Sequence, residues 1–190
     1  MTPINPYIFE HFPVLKTERL TLRQFLPGDA NAVFEMRINP NVNRFISRGP
    51  IQNIQEAEKL VQKVTDSYQE KLSVGWAVLL RERNKIIGGC GFNKIDFASR
   101  RAEIGGEMHP DYWGKNIAFE AVKEIVRFGL NEMNLHTIEA WVWPQNRSVV
   151  YLLEKLGFKK EAHLTDYVLK DQTFTDMAIY ILHKKWFKTV

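Results

Sequence analysis

The chain is short of cysteine, of long apolar runs and of clustered charge, and each shortage excludes something. Cys90 is the single cysteine in 190 residues, so neither an intrachain disulfide nor a cysteine-based zinc site can form. The longest apolar run, Trp76-Ala-Val-Leu-Leu80, falls far short of the ~20 residues that cross a bilayer. The opening Met1-Thr-Pro-Ile-Asn-Pro6 has no basic segment followed by an apolar stretch, so no secretory signal is expected. With one cysteine, this points to a cytoplasmic compartment and away from membranes. Twenty-six Lys and Arg stand against 22 Asp and Glu, a net charge of +4, and the charges are interspersed along the chain. Such a mild bias suits an anionic small molecule and argues against a nucleic-acid partner. Gly-x-x-x-x-Gly-Lys-Ser/Thr is missing, and Gly88-Gly-Cys-Gly91 lacks the third glycine and the following helix of a dinucleotide fingerprint. His11, His109, His136, His163 and His183 stand at no ligand-like spacing, so no metal is expected.

What is present is ordinary for a globule: 45% apolar, 12% aromatic and 25% charged residues, which excludes disordered and fibrous classes. At ~100–200 residues per domain, residues 1–190 read as one domain. Arg19-Leu-Thr-Leu-Arg-Gln-Phe25 alternates like a half-buried strand. Pro27-Gly28-Asp29 breaks it and offers Asp29 as the cap of a helix that ends at Asn39-Pro40, with loop beyond. Asn53 and Glu56 stand at capping-box spacing ahead of Ile54, Ala57, Val61, Val64 and Tyr68. Residues 74–80, 85–95 and 102–108 read as three successive strands, the first two joined by the turn Arg81-Glu-Arg-Asn84. A helix follows with Ile117, Ala121, Ile125 and Gly129 on one face, then a strand over 138–143. A helix capped by Asn146 and ended by Gly157 comes next, and two last strands lie near 159–169 and 173–183. Three consecutive strands in mid-chain exclude a doubly wound parallel sheet. The expected fold is mixed α/β, a mostly antiparallel sheet with helices on both faces and a central strand–helix–strand unit whose strands pair in parallel.

Two segments carry candidate chemistry. Glu103-Ile-Gly-Gly-Glu-Met-His-Pro-Asp-Tyr-Trp-Gly-Lys-Asn-Ile-Ala118 runs from a strand through a tight turn into an amphipathic helix. The unpaired N–H groups of a helix start, its positive dipole end and Lys115 together suit a phosphate or pyrophosphate, and Gly114 removes bulk where the anion must approach. Asn146-Arg-Ser-Val-Val-Tyr151 follows a strand interrupted by Pro144, and a strand that parts from its neighbour opens a slot.

With these residues in hand, the chain resembles the GNAT superfamily of acyl-CoA-dependent N-acetyltransferases, and within it the ribosomal-protein-alanine N-acetyltransferase branch. The resemblance spans about residues 16–187. It rests on Thr17-Glu-Arg-Leu-Thr-Leu-Arg23, on Glu103-Ile-Gly with His109-Pro-x-Tyr-Trp-Gly-Lys115, and on Asn146 with Leu153-Glu-Lys-Leu-Gly-Phe158, in family order and spacing. It implies a single GNAT-like domain with a splayed central parallel pair, acetyl-CoA as cosubstrate, and an amine acceptor. The family's phosphate loop falls on Trp113, Gly114, Lys115, Asn116, Ile117 and Ala118. Asn116 stands where the family has its central glycine, and asparagine is the non-glycine residue that best tolerates a left-handed backbone. The backbone around Met108 and His109 is expected to bind the pantetheine arm and polarise the thioester carbonyl, with Asn146 and its helix start lining the other side of the slot.

Amide formation needs a neutral amine, yet α-amines titrate near ~8 and lysines near ~10.4, so a base is required. The resemblance puts a carboxylate in that role at Glu103. Glu107, four residues along the strand, is the reserve. For the proton that the departing thiolate takes up, family members use a Tyr where this chain has Leu153 or a Ser where it has Val149. Ser148 and Tyr151 are the nearby hydroxyls. The expected reaction is direct attack in a ternary complex without a covalent intermediate, leaving Cys90 a core residue. Branch resemblance makes a protein N-terminal α-amine the acceptor, and a polyamine, amino acid or aminoglycoside is the small-amine alternative. A non-catalytic acyl-CoA-binding module is the rival from another class. The acceptor is expected to be chosen by segments 39–55 and 165–174, and the protein to be a monomer or homodimer.

Overall fold

Leu20 and Leu22 are fully buried while Thr21 and Arg23 beside them keep contact with water, the period-two signature of a strand with one face on a core. In the computed structural model, which describes residues 3–46 and 49–187, that strand belongs to one eight-stranded sheet. The elements in chain order are β1 (Leu15–Lys16), β2 (Leu20–Gln24), α1 (Ala30–Arg37), α2 (Pro40–Asn43), α3 (Ile54–Gln69), β3 (Val74–Leu80), β4 (Lys85–Asp96), β5 (Arg101–Met108), α4 (Ile117–Asn131), β6 (Thr137–Val142), α5 (Arg147–Lys155), β7 (Lys159–Lys170) and β8 (Thr173–His183). The spatial order is β1-β2-β3-β4-β5-β6-β8-β7. Every pairing is antiparallel except β5 with β6.

The two faces are covered by different helices. Trp76 packs edge-on against Phe128 of α4, while a side chain added at its neighbour Gly75 would meet Val64 of α3 at 2.7 Å. Residues adjacent in a strand point to opposite faces, so α4 and α3 lie on opposite sides of the sheet. A Cβ at Gly129 would stand 2.5 Å from the Phe92 ring. Glycine there lets α4 settle close onto β4.

The expected element order is observed, with four local differences. β1 is an added two-residue strand paired with β2. The segment after Asn39-Pro40 is not all loop: Asn39 is extended, as a residue before proline must be, but its side chain accepts from Asn41 N–H and starts the single turn α2. Asp29 does not cap α1. Its carboxylate accepts from both terminal nitrogens of Arg23 and from Leu26 N–H. Finally, Pro144 does not open the sheet. The β5–β6 ladder has three rungs, Arg101 with Thr137, Ala102 with Ile138 and Glu103 with Glu139, so the strands part before β6 ends at Val142.

Candidate active site

The gap between β5 and β6 begins just past Glu103, and the backbone of β5 faces it. In an antiparallel pair, residues that exchange hydrogen bonds alternate with residues that do not. His109 N–H donates to the Ile87 carbonyl at 2.8 Å. The alternation therefore commits Glu107 and Gly105 to β4 and turns the N–H groups of Ile104, Gly106 and Met108 towards the gap. The Met108 carbonyl accepts from the Trp113 indole N–H at 2.8 Å. Of the two residues expected to meet a pantetheine arm, only Met108 has a free N–H. His109 instead shapes the turn, its Nδ1 accepting from Asp111 N–H.

That turn delivers the chain to α4 in an unusual conformation. Gly114 has φ +70, with open space where a side chain would be, and Asn116 is left-handed at φ 57, ψ 13. The Asn116 side chain makes no cap bond. The first helical bond runs from Glu120 N–H to the Asn116 carbonyl, so the N–H groups of Ile117, Ala118 and Phe119 have no acceptor within the helix. With the positive dipole end and exposed Lys115, these donors suit an anion. Across the gap, Asn146 Oδ1 accepts from Val149 N–H and caps α5. Lys155 of α5 lies over the Phe119 ring at 4.5 Å and within 6.0 Å of the Tyr151 ring, bringing α5 beside the first turn of α4. Ser148 and Tyr151 are both exposed, while Leu153 is buried.

The two candidate carboxylates have unlike surroundings. Glu103 is half-buried opposite Glu139 on the last rung, with Lys94 beside it on β4. Burial first, then repulsion by Glu139, raises its pKa above the ordinary carboxylate value, and Lys94 only partly offsets this. Glu107, on the same sheet face, accepts from Arg37 Nε of α1 at 2.5 Å, and Arg37 is 4% exposed. It is committed to a buried ion pair. Burial pushes the Cys90 thiol up to about 12, which leaves it protonated and unsuited to nucleophilic work.

The face of Glu107 is closed by a belt of contacts. Asn43 Nδ2 donates to the Arg37 carbonyl. Lys170, from the end of β7, donates to the carbonyls of Asn43, Arg44 and Ile46 at 2.7, 2.8 and 3.0 Å. Its ammonium also lies 5.0 Å from the centre of the Trp143 ring, and Trp143 meets Phe45 edge-on. The belt joins segments 39–55 and 165–174; Ser47 and Arg48 of the former lie outside the described residues.

One set of residues escaped the sequence reading. Glu120, in the first turn of α4, accepts from Thr17 Oγ1 at 2.5 Å, Arg19 N–H at 2.9 Å and Arg19 Nε at 2.6 Å, and Arg19 Nη1 donates to the Lys115 carbonyl at 3.1 Å. The only signal was that Thr17 and Arg19 fall within the first matched segment. Among the described residues there is no group of three or more His, Cys, Asp or Glu placed to hold a metal, and no helix long and apolar enough to cross a membrane.

The chain matches the acetyltransferase (GNAT) domain family over residues 19–159. It is 34% identical over 171 residues to the uncharacterised N-acetyltransferase p20 of Bacillus licheniformis, covering 90% of this chain and 96% of that one. It is 26% identical to the spermidine N(1)-acetyltransferase of Vibrio cholerae, covering 88% and 95%, and 30% identical over 102 residues to the ribosomal protein uS5-alanine N-acetyltransferase of Escherichia coli, covering 53% of each. The crystal structure of a GNAT-family acetyltransferase from Bacillus anthracis superposes with a TM-score of 0.82 at 26% identity, covering 91% of this chain and 99% of that one.

Proposed function

The chain belongs to the GNAT acetyltransferase family, and from that premise we propose that this acetyl-CoA-dependent N-acetyltransferase acts on the N-terminal α-amine of a protein. The observation that carries the reading is the early end of the β5–β6 ladder beside the unpaired N–H groups of α4. A slot and an anion cradle lie side by side, as an extended acyl-CoA requires. The pyrophosphate meets the backbone of Trp113, Gly114, Lys115, Asn116, Ile117 and Ala118. The pantetheine arm enters the gap between β5 and the Asn146 end of α5. The Met108 N–H donates to the thioester carbonyl and stabilises the oxyanion of the tetrahedral intermediate. His109 contributes by holding the turn.

The amine arrives on the opposite face, where Glu103 stands at the closed end of the gap. Directly or through one water, Glu103 takes the ammonium proton, and its raised pKa suits that task near neutrality. The neutral amine attacks the carbonyl carbon, the tetrahedral intermediate sheds its second N–H proton as it collapses to the amide, and the C–S bond breaks. The thiolate takes its proton at the α5 side, where Ser148 and Tyr151 carry hydroxyls. All of this proceeds within one unit, residues 1–190. A cytoplasmic setting accords with the lone cysteine.

An acceptor with one ammonium fits the rim. Lys170 stands in the belt that joins segments 39–55 and 165–174, and a cation there disfavours a ligand carrying several ammonium groups. The second reading, a polyamine acceptor, is favoured by the spermidine enzyme's similarity over 88% of this chain. Thiol release from acetyl-CoA decides between them. Peptides with free N-termini are expected to be turned over at least tenfold faster than the same peptides blocked at the N-terminus and than spermidine. Spermidine as the one productive acceptor overturns the α-amine reading.

A further inference from the structure

Glu120 poses an electrostatic problem. It stands in the first turn of α4, where a free carboxylate repels any anion bound at Ile117, Ala118 and Phe119 N–H and can swing back to occupy those donors itself. Neither happens. Both oxygens are taken by the segment ahead of β2: Oε1 accepts from Thr17 Oγ1 and Arg19 N–H, and Oε2 accepts from Arg19 Nε. These bonds hold the carboxyl below its usual range despite partial burial. The carboxylate is held by the segment ahead of β2 and its charge is neutralised by a guanidinium.

The same guanidinium fixes the loop. Arg19 Nη1 donates to the Lys115 carbonyl, and Lys115 lies between Gly114 and Asn116, both at positive φ. A trans peptide unit points its carbonyl and its N–H in opposite directions. Anchoring the Lys115 carbonyl on Arg19 therefore aims the Asn116 N–H away from Arg19. One side chain thus sets the direction of a loop donor and cancels the charge that competes with the ligand.

We propose that Thr17, Arg19 and Glu120 form a clamp that positions the backbone of the pyrophosphate loop, so that Arg19 is a positioning residue for acetyl-CoA without touching it. This rests on the reading above that the loop holds the coenzyme A pyrophosphate. Because the clamp acts on the pyrophosphate end alone, its loss must spare a ligand that lacks that end.

The test compares two probes on the full chain, acetyl-CoA by calorimetry and S-acetylpantetheine by ligand-observed NMR. Arg19→Met is expected to weaken acetyl-CoA tenfold or more and to leave S-acetylpantetheine within twofold. The double variant Arg19→Met/Glu120→Gln, with the uncompensated carboxylate removed, is expected to recover part of that loss. Arg19→Lys keeps the charge but has one nitrogen where arginine has a fork. It is expected to weaken acetyl-CoA about threefold, and it decides the matter if Arg19→Met does not fold. Equal losses for both probes, or acetyl-CoA binding within twofold of wild type in both single variants, overturn the clamp alone. A wild-type protein that fails to bind acetyl-CoA overturns the proposed function along with it.

Discussion

Glu103 and Glu107 are chemically identical and four residues apart on one strand, and their environments are opposite in kind. Burial and Glu139 raise the Glu103 pKa, whereas Glu107 is bound to the buried Arg37. Glu103→Gln keeps the shape and removes the proton acceptor. Turnover at pH 7 is expected to fall by a factor of about 10² with acetyl-CoA affinity unchanged, and the residual rate to climb with pH as neutral amine becomes available without help. Stability moves the other way. A carboxyl whose folded pKa exceeds its unfolded value binds more protons when folded, so its contribution to stability is present at low pH and is lost as pH rises above the ordinary carboxylate range. Thermal melts should therefore find Glu103→Gln more stable than wild type at pH 7 and no more stable at pH 4. Glu107→Gln behaves differently, because it leaves a guanidinium buried without its counter-charge. It is expected to cost about 3–5 kcal/mol, read as a denaturant midpoint shift. A Glu107→Gln protein of full stability and lost turnover would hand Glu103's role to Glu107.

At the scale of elements, the sequence was legible wherever a local rule sufficed. Asn53 accepts from Glu56 N–H at 3.1 Å, Gly157 ends α5 at φ +89, and Asn116 occupies the left-handed region expected of it. Two features were misread where a local signal had a tertiary competitor. Asp29 has cap chemistry, but two bonds to Arg23 and one to Leu26 outbid the helix start. Pro144 is a strand breaker, but the gap opens at Ile104 because β5 and β6 diverge after their third rung, and divergence is decided by what packs on each strand. The proposed phosphate loop allows an element-scale test. Asparagine adopts the left-handed backbone at a cost of about 1 kcal/mol or less, and the Asn116 side chain makes no cap bond. Asn116→Gly is therefore expected to bind coenzyme A as well as wild type or better by calorimetry. Gly114→Val, a branched residue at φ +70, is expected to bind it severely less well. A tenfold loss in Asn116→Gly would mean that the amide itself holds the ligand.

Across the whole molecule, the site is assembled from segments that no local pattern connects. Arg19 and Glu120 are 101 residues apart, and Lys170 meets Asn43 across 127. Composition and periodicity cannot reveal such pairs, because each partner taken alone reads as an ordinary polar or charged residue. The three matched segments nonetheless marked parts that meet: Thr17 and Arg19 bind the β5–α4 junction, and α5 lies beside the first turn of α4. A ligand spanning the gap between β5 and β6 depends on elements from the segment ahead of β2, which anchors the loop, to α5, and binds only when all of them are folded. Binding must then stabilise the molecule as a unit. At a hundred times its dissociation constant, such a ligand adds ~2.7 kcal/mol, and at ~2–4 °C per kcal/mol for a protein of this size coenzyme A should raise the melting temperature by roughly 5–10 °C. ATP or NAD at the same concentration should raise it less, since each offers a phosphate to the loop but no pantetheine to the gap. Equal shifts with ATP would mean that the anion cradle binds alone. No shift at millimolar coenzyme A would mean that loop and gap do not act as one site.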